Sequence, residues 1–308
     1  MFEKIAIIGI GLIGSSIVRA IARGKLAAEV SIFDKSADAL AEAETLGLGT
    51  KYHASAADAA VGADLVVLCT PVGTYLELTK SIAGSLKPGA ILTDTGSVKG
   101  HVLKTLQEHV PEHVHFIPGH PISGSEKSGP SAGYKELFDH RWCVLTPPEG
   151  ADETAVDQLR AFWEAIGSDV EIMDAEHHDM VLAITSHLPH LIAYNIVGTA
   201  DHLESVSKSE VIKFSAGGFR DFTRIAASDP VMWRDVFLTN KDAVMEMLGR
   251  FSEDLSMLQR AVRFGDGEKL EELFTRTRNI RRSIIDAGQE TDAPDFGRHP
   301  ASQDDGEA

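Results

Sequence analysis

Cysteine is scarce in this 308-residue chain. Cys69 and Cys143 are the only two, too few for a disulfide framework or a four-cysteine metal site. Basic residues are also in deficit: 29 Lys plus Arg face 46 Asp plus Glu, for a formal net charge of −17. Nucleic acids and anionic membranes select basic patches, so neither is an expected partner. No uninterrupted apolar run reaches the roughly 18 residues of a membrane span. The opening Met1-Phe2-Glu3-Lys4 leads into an apolar stretch too brief for a signal peptide. A reduced, cytoplasmic protein is the expectation. What is present is a globular composition, 43% hydrophobic and 24% charged, at a length that suits two domains. Residues 286–308 stand apart, with seven acids, one base (Arg298) and few large apolar side chains, and read as a disordered acidic tail.

Short β-branched runs alternate with helical patterns through the first half. Strands are expected at Ile5–Ile8, Glu29–Phe33, Leu65–Cys69, Ala90–Thr93, His115–Ile117, Trp142–Thr146 and Val170–Met173. Helices fit at Leu12–Arg23, Thr74–Leu86, Lys99–Glu108 and Asp152–Ile166. Such alternation builds a mainly parallel, doubly wound sheet with helices on both faces. From Asp174 onward strand signals vanish. Asp174 suits a helix N-cap, and Ala175 to about Ala200 reads as one helix kinked at Pro189. Asp229-Pro230 opens another helix, expected to run to Phe264 and stop at Gly265-Asp266-Gly267. Its Val244, Leu248, Phe251, Leu255, Leu258 and Val262 form a heptad-like seam, suited either to dimerisation or to packing within its own domain. A last helix is expected over Glu268–Ile285. The resulting division is a Rossmann domain over 1–172, an all-α dimerisation domain over 173–285, and the tail.

Gly9-Ile10-Gly11-Leu12-Ile13-Gly14 is a G-x-G-x-x-G turn between a strand and a helix, and Asp34 ends the second strand twenty residues after Gly14. This context marks a dinucleotide site. Gly9 allows the tight turn, Gly11 lets the backbone approach a pyrophosphate, and Gly14 lets helix and strand pack closely. Asp34 suits ribose hydroxyls and repels a 2′-phosphate, favouring NAD; Lys35 beside it could soften that choice. Thr70-Pro71 follow a strand where the sheet's carboxyl edge would face the nicotinamide.

Three polar clusters remain: Asp94-Thr95-Gly96-Ser97-Val98-Lys99, the loop Gly119-His120-Pro121 through Gly124-Ser125-Glu126-Lys127-Ser128-Gly129, and His187-Leu188-Pro189-His190 with Asp221-Phe222-Thr223-Arg224 through Trp233-Arg234-Asp235. In this order they resemble prephenate dehydrogenase, the cyclohexadienyl and arogenate dehydrogenase family, over roughly residues 4–285. The resemblance implies NAD-dependent oxidative decarboxylation of prephenate to 4-hydroxyphenylpyruvate in tyrosine biosynthesis, or of arogenate to tyrosine; the homodimer is expected from the heptad-like seam alone. No residue decides between the two substrates. His120 matches the family's catalytic histidine, and a near-neutral pKa suits a general base. Ser97 matches the serine that bonds both the histidine and the substrate hydroxyl. Arg224 matches the arginine on the ring carboxylate, a geometry that a planar guanidinium fits. His190 matches a histidine near the substrate side chain, Glu126 matches an acidic residue that helps control access through an ionic network, and Ser125 beside it is expected among the substrate-binding residues. Asp221, three residues before Arg224, could hold it by an ion pair. Trp233 matches a residue nearby and reads equally as core. Lys99 and Lys127 read as loop-stabilising cations. His187 and His190 are spaced as metal ligands can be, but no H-E-x-x-H is present and no metal is expected. A β-hydroxyacid dehydrogenase and a non-catalytic NAD sensor are the remote alternatives.

Overall fold

The structure is a computed structural model describing residues 1–124, 127–201 and 217–284. The expected features at Ser125, Glu126 and 286–308 lie outside the described residues. Two compact units are present, residues 1–247 and from 248 onward.

The first unit is built on six parallel strands: β1 (Phe2–Ile8), β2 (Ala27–Phe33), β3 (Lys51–Tyr52), β4 (Leu65–Leu68), β5 (Ile91–Asp94) and β6 (His115–Phe116). Their order is β3-β2-β1-β4-β5-β6. Successive side chains of a strand point to opposite faces. Ile5, Ile7, Leu65 and Val67 accordingly enter one core, and Ala6, Ile8, Val66 and Leu68 the other. Both faces are buried because helical crossovers cover both. The helices are α1 (Leu12–Gly24), α2 (Ala37–Thr45), α3 (Ala56–Ala60), α4 (Tyr75–Ile82) and α5 (Gly100–Leu106).

A second sheet follows, which the sequence does not announce. It contains β7 (Gly119–Pro121), β8 (Trp142–Leu145) and, after α6 (Glu153–Ala165), β9 (Asp169–Ile172), with β7 antiparallel and β9 parallel to β8. Gly119–Pro121 is therefore strand and not loop, and His120 pairs with Val144. Pro121 is tolerated because β7 is an edge strand.

Helices then take over: α7 (Ala175–Leu182), a π-helical turn over Ala183–His187, α8 (Leu188–Asp201), α9 (Gly217–Thr223) and α10 (Pro230–Thr239). Asp174 and Asp229 cap α7 and α10, accepting from the backbone N–H of His177 and Met232. The expected kink at Pro189 is a widened turn just before it. Proline supplies no N–H, and the chain absorbs the loss by a π-type shift. The expected helix from Pro230 to Phe264 is broken at Asn240, after which α11 (Lys241–Phe264) begins. The Asn240 amide is bonded to another helix, so tertiary contacts override the apolar period there. In the second unit, Gly265 takes a left-handed φ of 67° and starts the turn into α12 (Gly267–Ile284). Ala175–Asp201 is, among the described residues, the one helical stretch long and apolar enough to cross a membrane. Its His178, Asp179 and His187 are instead buried in hydrogen-bonded contacts within the first unit.

Candidate active site

The glycine turn has the shape its spacing predicts. Gly9 sits at φ 102°, and a Cβ there would meet the Cys69 carbonyl oxygen at 2.7 Å and the Thr70 side chain at 2.8 Å. A Cβ on Gly14 would run into the Gly9 carbonyl, which explains the close approach of α1 to β1. Gly11 is different: nothing lies within 4 Å of a Cβ placed there. The space in front of Gly11, at the start of α1, is open to a ligand, and a phosphate would meet the positive end of the helix. Asp34 holds the turn from the next strand. Its Oδ2 accepts from the Ile10 N–H and its Oδ1 from the Ser36 N–H, both at 2.8 Å. Leu12 is buried and Ile13 half-buried in α1. Thr70, beside Gly9, shares a 2.8 Å hydroxyl contact with Thr74, and the Pro71 carbonyl accepts from Thr74. These groups fit a dinucleotide.

Further along the sheet edge, β5 and β7 deliver the Ser97 loop and His120. Nδ1 of His120 lies 2.8 Å from Nε2 of His178, and Nδ1 of His178 lies 2.8 Å from Oδ1 of Asp179. A carboxylate can only accept, so His178 carries its proton on Nδ1. Its Nε2 then offers a lone pair, which accepts from Nδ1–H of His120. That leaves Nε2 of His120 as a lone pair, the form a base requires. Burial pushes the His120 pKa well below its ordinary value, helped by His178, Lys99 and His187 nearby. Burial lowers His178 as well, against the Asp179 carboxylate.

Asp179 does more than orient His178. Its Oδ1 accepts from the Lys99 N–H and its Oδ2 from the Gly100 N–H, both at 2.8 Å. The carboxylate thus pins the downstream end of the Ser97 loop to α7. Ser97 itself is half-buried.

His187 is fully buried. The Asn240 amide nitrogen donates to the Asp179 backbone carbonyl at 2.9 Å and to His187 Nδ1 at 3.1 Å. This places the His187 proton on Nε2. That N–H is buried with no hydrogen-bond partner among the described residues. Burial pushes the His187 pKa down to about 4. His190 donates from Nδ1 to the Ser186 carbonyl at 2.8 Å and stacks on buried Trp233, with centroids 3.6 Å apart. Its pKa is lowered by burial and, to a smaller extent, by the charge of the Arg224 guanidinium. Asp221 is exposed, with Oδ1 3.4 Å from Nε of Arg220.

Three buried residues complete this arrangement without having been assigned a part in it from the sequence: His178, Asp179 and Asn240. Adjacent His178-Asp179 after the Asp174 cap was the available signal.

Residues 17–172 match the family described as prephenate dehydrogenase, nucleotide-binding domain, and residues 174–276 match prephenate dehydrogenase, dimerization domain. The chain belongs to the prephenate dehydrogenase family. It is 42% identical to a cyclohexadienyl dehydrogenase of Zymomonas mobilis, over 92% of this chain and 97% of that protein. It is 33% identical to a prephenate dehydrogenase of Bacillus subtilis, over 92% of this chain and 76% of that protein. A crystal structure of Aquifex aeolicus prephenate dehydrogenase, in complex with hydroxyphenyl propionate and NAD+, superposes with a TM-score of 0.85 at 33% identity, covering 92% of this chain and 99% of that one. Membership of the prephenate dehydrogenase family makes this chain an oxidoreductase with a nucleotide-binding domain.

Proposed function

We propose that this protein carries out the NAD-dependent oxidative decarboxylation of prephenate to 4-hydroxyphenylpyruvate, with arogenate as the alternative or additional substrate. The Asp179–His178–His120 chain carries the reading, because it leaves a lone pair on Nε2 of a histidine that burial keeps unprotonated at neutral pH.

Gly9, Gly11, Leu12, Ile13 and Gly14 would receive the pyrophosphate, Asp34 the adenosine ribose, and Thr70 and Pro71 the nicotinamide end. When bound, NAD supplies the acceptor for the hydride of the hydroxyl-bearing ring carbon. His120 Nε2 takes the hydroxyl proton as carbonyl character develops, and the new imidazolium is stabilised through His178 by the Asp179 charge. Ser97 orients the hydroxyl. Arg224 holds the ring carboxylate until its carbon–carbon bond breaks and the ring becomes aromatic. His190, Ser125, Glu126 and Asp221 serve the side-chain end and its access.

In the cell the enzyme works as a cytoplasmic homodimer, with a nucleotide-binding domain over 1–172 and a helical domain over 173–285. The test is steady-state kinetics with prephenate and with arogenate, each with NAD and NADP, followed by reduced-cofactor absorbance. Turnover of either substrate that His120→Asn removes by about 10²–10⁴-fold supports the reading. No turnover of either substrate, or a fully active His120→Asn enzyme, overturns it.

A further inference from the structure

Two fully buried ions lie beneath the site and take no part in the proton path. Lys99 and Asp94 form an ion pair with both side chains 0% exposed. Burial pushes the ammonium pKa down and the carboxyl pKa up, while their mutual attraction opposes both shifts. A buried ion pair is a weak source of stability, since well-packed apolar side chains of similar volume often do as well. Its contacts suggest another use. Asp94 accepts from the Gly96 N–H at 2.8 Å and from the Gly119 N–H at 3.2 Å. Lys99 donates to Asp94 and, at 2.6 Å, to the Gly119 carbonyl. The pair therefore grips the residue before Ser97 and the residue before His120, from two segments far apart in sequence.

We propose that the Lys99–Asp94 pair is a positioning device, a clasp that fixes the Ser97 loop and the His120 strand at the spacing proton transfer requires. This rests on the reading of His120 as the base. The charge of Lys99 adds a second effect. It faces His120 together with His178 from α7, His187 from the π-helical turn, and the Cys143 thiol from β8, and it disfavours a proton on His120. A clasp of this kind acts on turnover, because misplacement by about 1 Å costs on the order of a hundredfold in rate.

The test uses the full chain with two variants. Lys99→Met combined with Asp94→Asn removes both charges together, so neither ion is left buried alone. Lys99→Gln keeps a donor for Asp94 and Gly119 but no charge, and Asp94, whose carboxyl pKa burial already raises, takes a proton in compensation. In the double variant, kcat for the substrate the wild type uses falls by at least about thirtyfold, while KM and NAD affinity stay within about threefold. Lys99→Gln recovers about tenfold of that loss. A titration of the histidine rings by NMR, without substrate and with His120→Asn to assign the signal, shows His120 taking its proton at higher pH in both variants. A double variant with kcat within about threefold of wild type overturns the clasp. Should the double variant fail to fold, Lys99→Gln decides alone: unchanged turnover with an unmoved His120 titration overturns the proposal. Should the wild type turn over neither substrate, the functional reading falls and takes the clasp with it; a double variant that keeps the kcat of an active wild type overturns the clasp alone.

Discussion

His120 and His178 share a 2.8 Å contact between Nδ1 and Nε2, their rings set edge to face at 72°. Because Asp179 fixes the other side of His178, the tautomer of His120 is settled two residues away from where it matters. The first prediction follows from this order. His178→Phe keeps an aromatic ring but accepts no hydrogen bond, so Nδ1–H of His120 loses its partner and the ring loses its orientation. A fall in kcat of about 10²–10⁴-fold is expected, with NAD affinity preserved. Steady-state kinetics and a cofactor titration check it; near-normal kcat would remove His178 from the relay.

The buried histidines link stability to pH. His120, His178, His187 and His190 all have pKa values lowered in the folded state. The unfolded chain then binds more protons than the folded one below the ordinary value near 6.5, so stability falls as pH falls. For His187 the window runs from 6.5 down to about 4. That shift corresponds to about 3 kcal/mol, fully lost only at the bottom of the window. Urea midpoints should hold from pH 7.5 to about 6.5 and decline from there to pH 4.5, and His187→Leu should flatten part of the decline. The activity profile has the same sign: kcat/KM stays level through pH 7 and drops only on the acid side of the usual histidine range.

Gly11 and Gly14 of the dinucleotide turn should separate under mutation. Gly11→Ala meets open space, so the thermal midpoint should hold while NAD affinity weakens by about tenfold or more, as a methyl group obstructs the pyrophosphate. Gly14→Ala drives a methyl group into the Gly9 carbonyl and should cost about 3 kcal/mol of stability before any ligand is added. Thermal melts with and without NAD distinguish the two.

Asp34 holds the turn through its two backbone bonds, and the proposed preference for NAD rests on its charge. Asp34→Asn removes the repulsion toward a 2′-phosphate and keeps one acceptor oxygen for Ile10 or Ser36. The ratio of kcat/KM for NADP over NAD should rise by about tenfold or more, beside exposed Lys35. A ratio unmoved by the change would place discrimination elsewhere.

The parallel sheet was legible because its strands are β-branched runs buried on both faces, and the caps at Asp174 and Asp229 because a carboxylate before an apolar helix has one common use. The glycine turn was legible through its spacing and the distance to Asp34. Gly119–Pro121 was not, since Gly-His-Pro carries no strand preference and becomes one only against β8, more than twenty residues on. The break at Asn240 was hidden for a related reason: the amide is held by a backbone carbonyl and a histidine from residues 179 and 187, which no local pattern reports. The Lys99–Asp94 pair could be suspected as a motif, but its burial is a property of two layers meeting over it.

The π-helical turn Ala183–His187 carries a consequence for evolution of the site. One extra residue in a helix rotates everything after it by about 100° relative to an unbroken helix. In an ideal helix His178 and His187 would point in opposite directions, nine residues being two and a half turns. The inserted residue turns His187 back toward the side that His178 occupies, and carries His190 with it. The alignment of these three imidazoles is thus stored as a count of residues, not in any one side chain. A single deletion between His178 and His187 would do more harm to the site than most substitutions in the same segment, because it would redirect an entire helix at once.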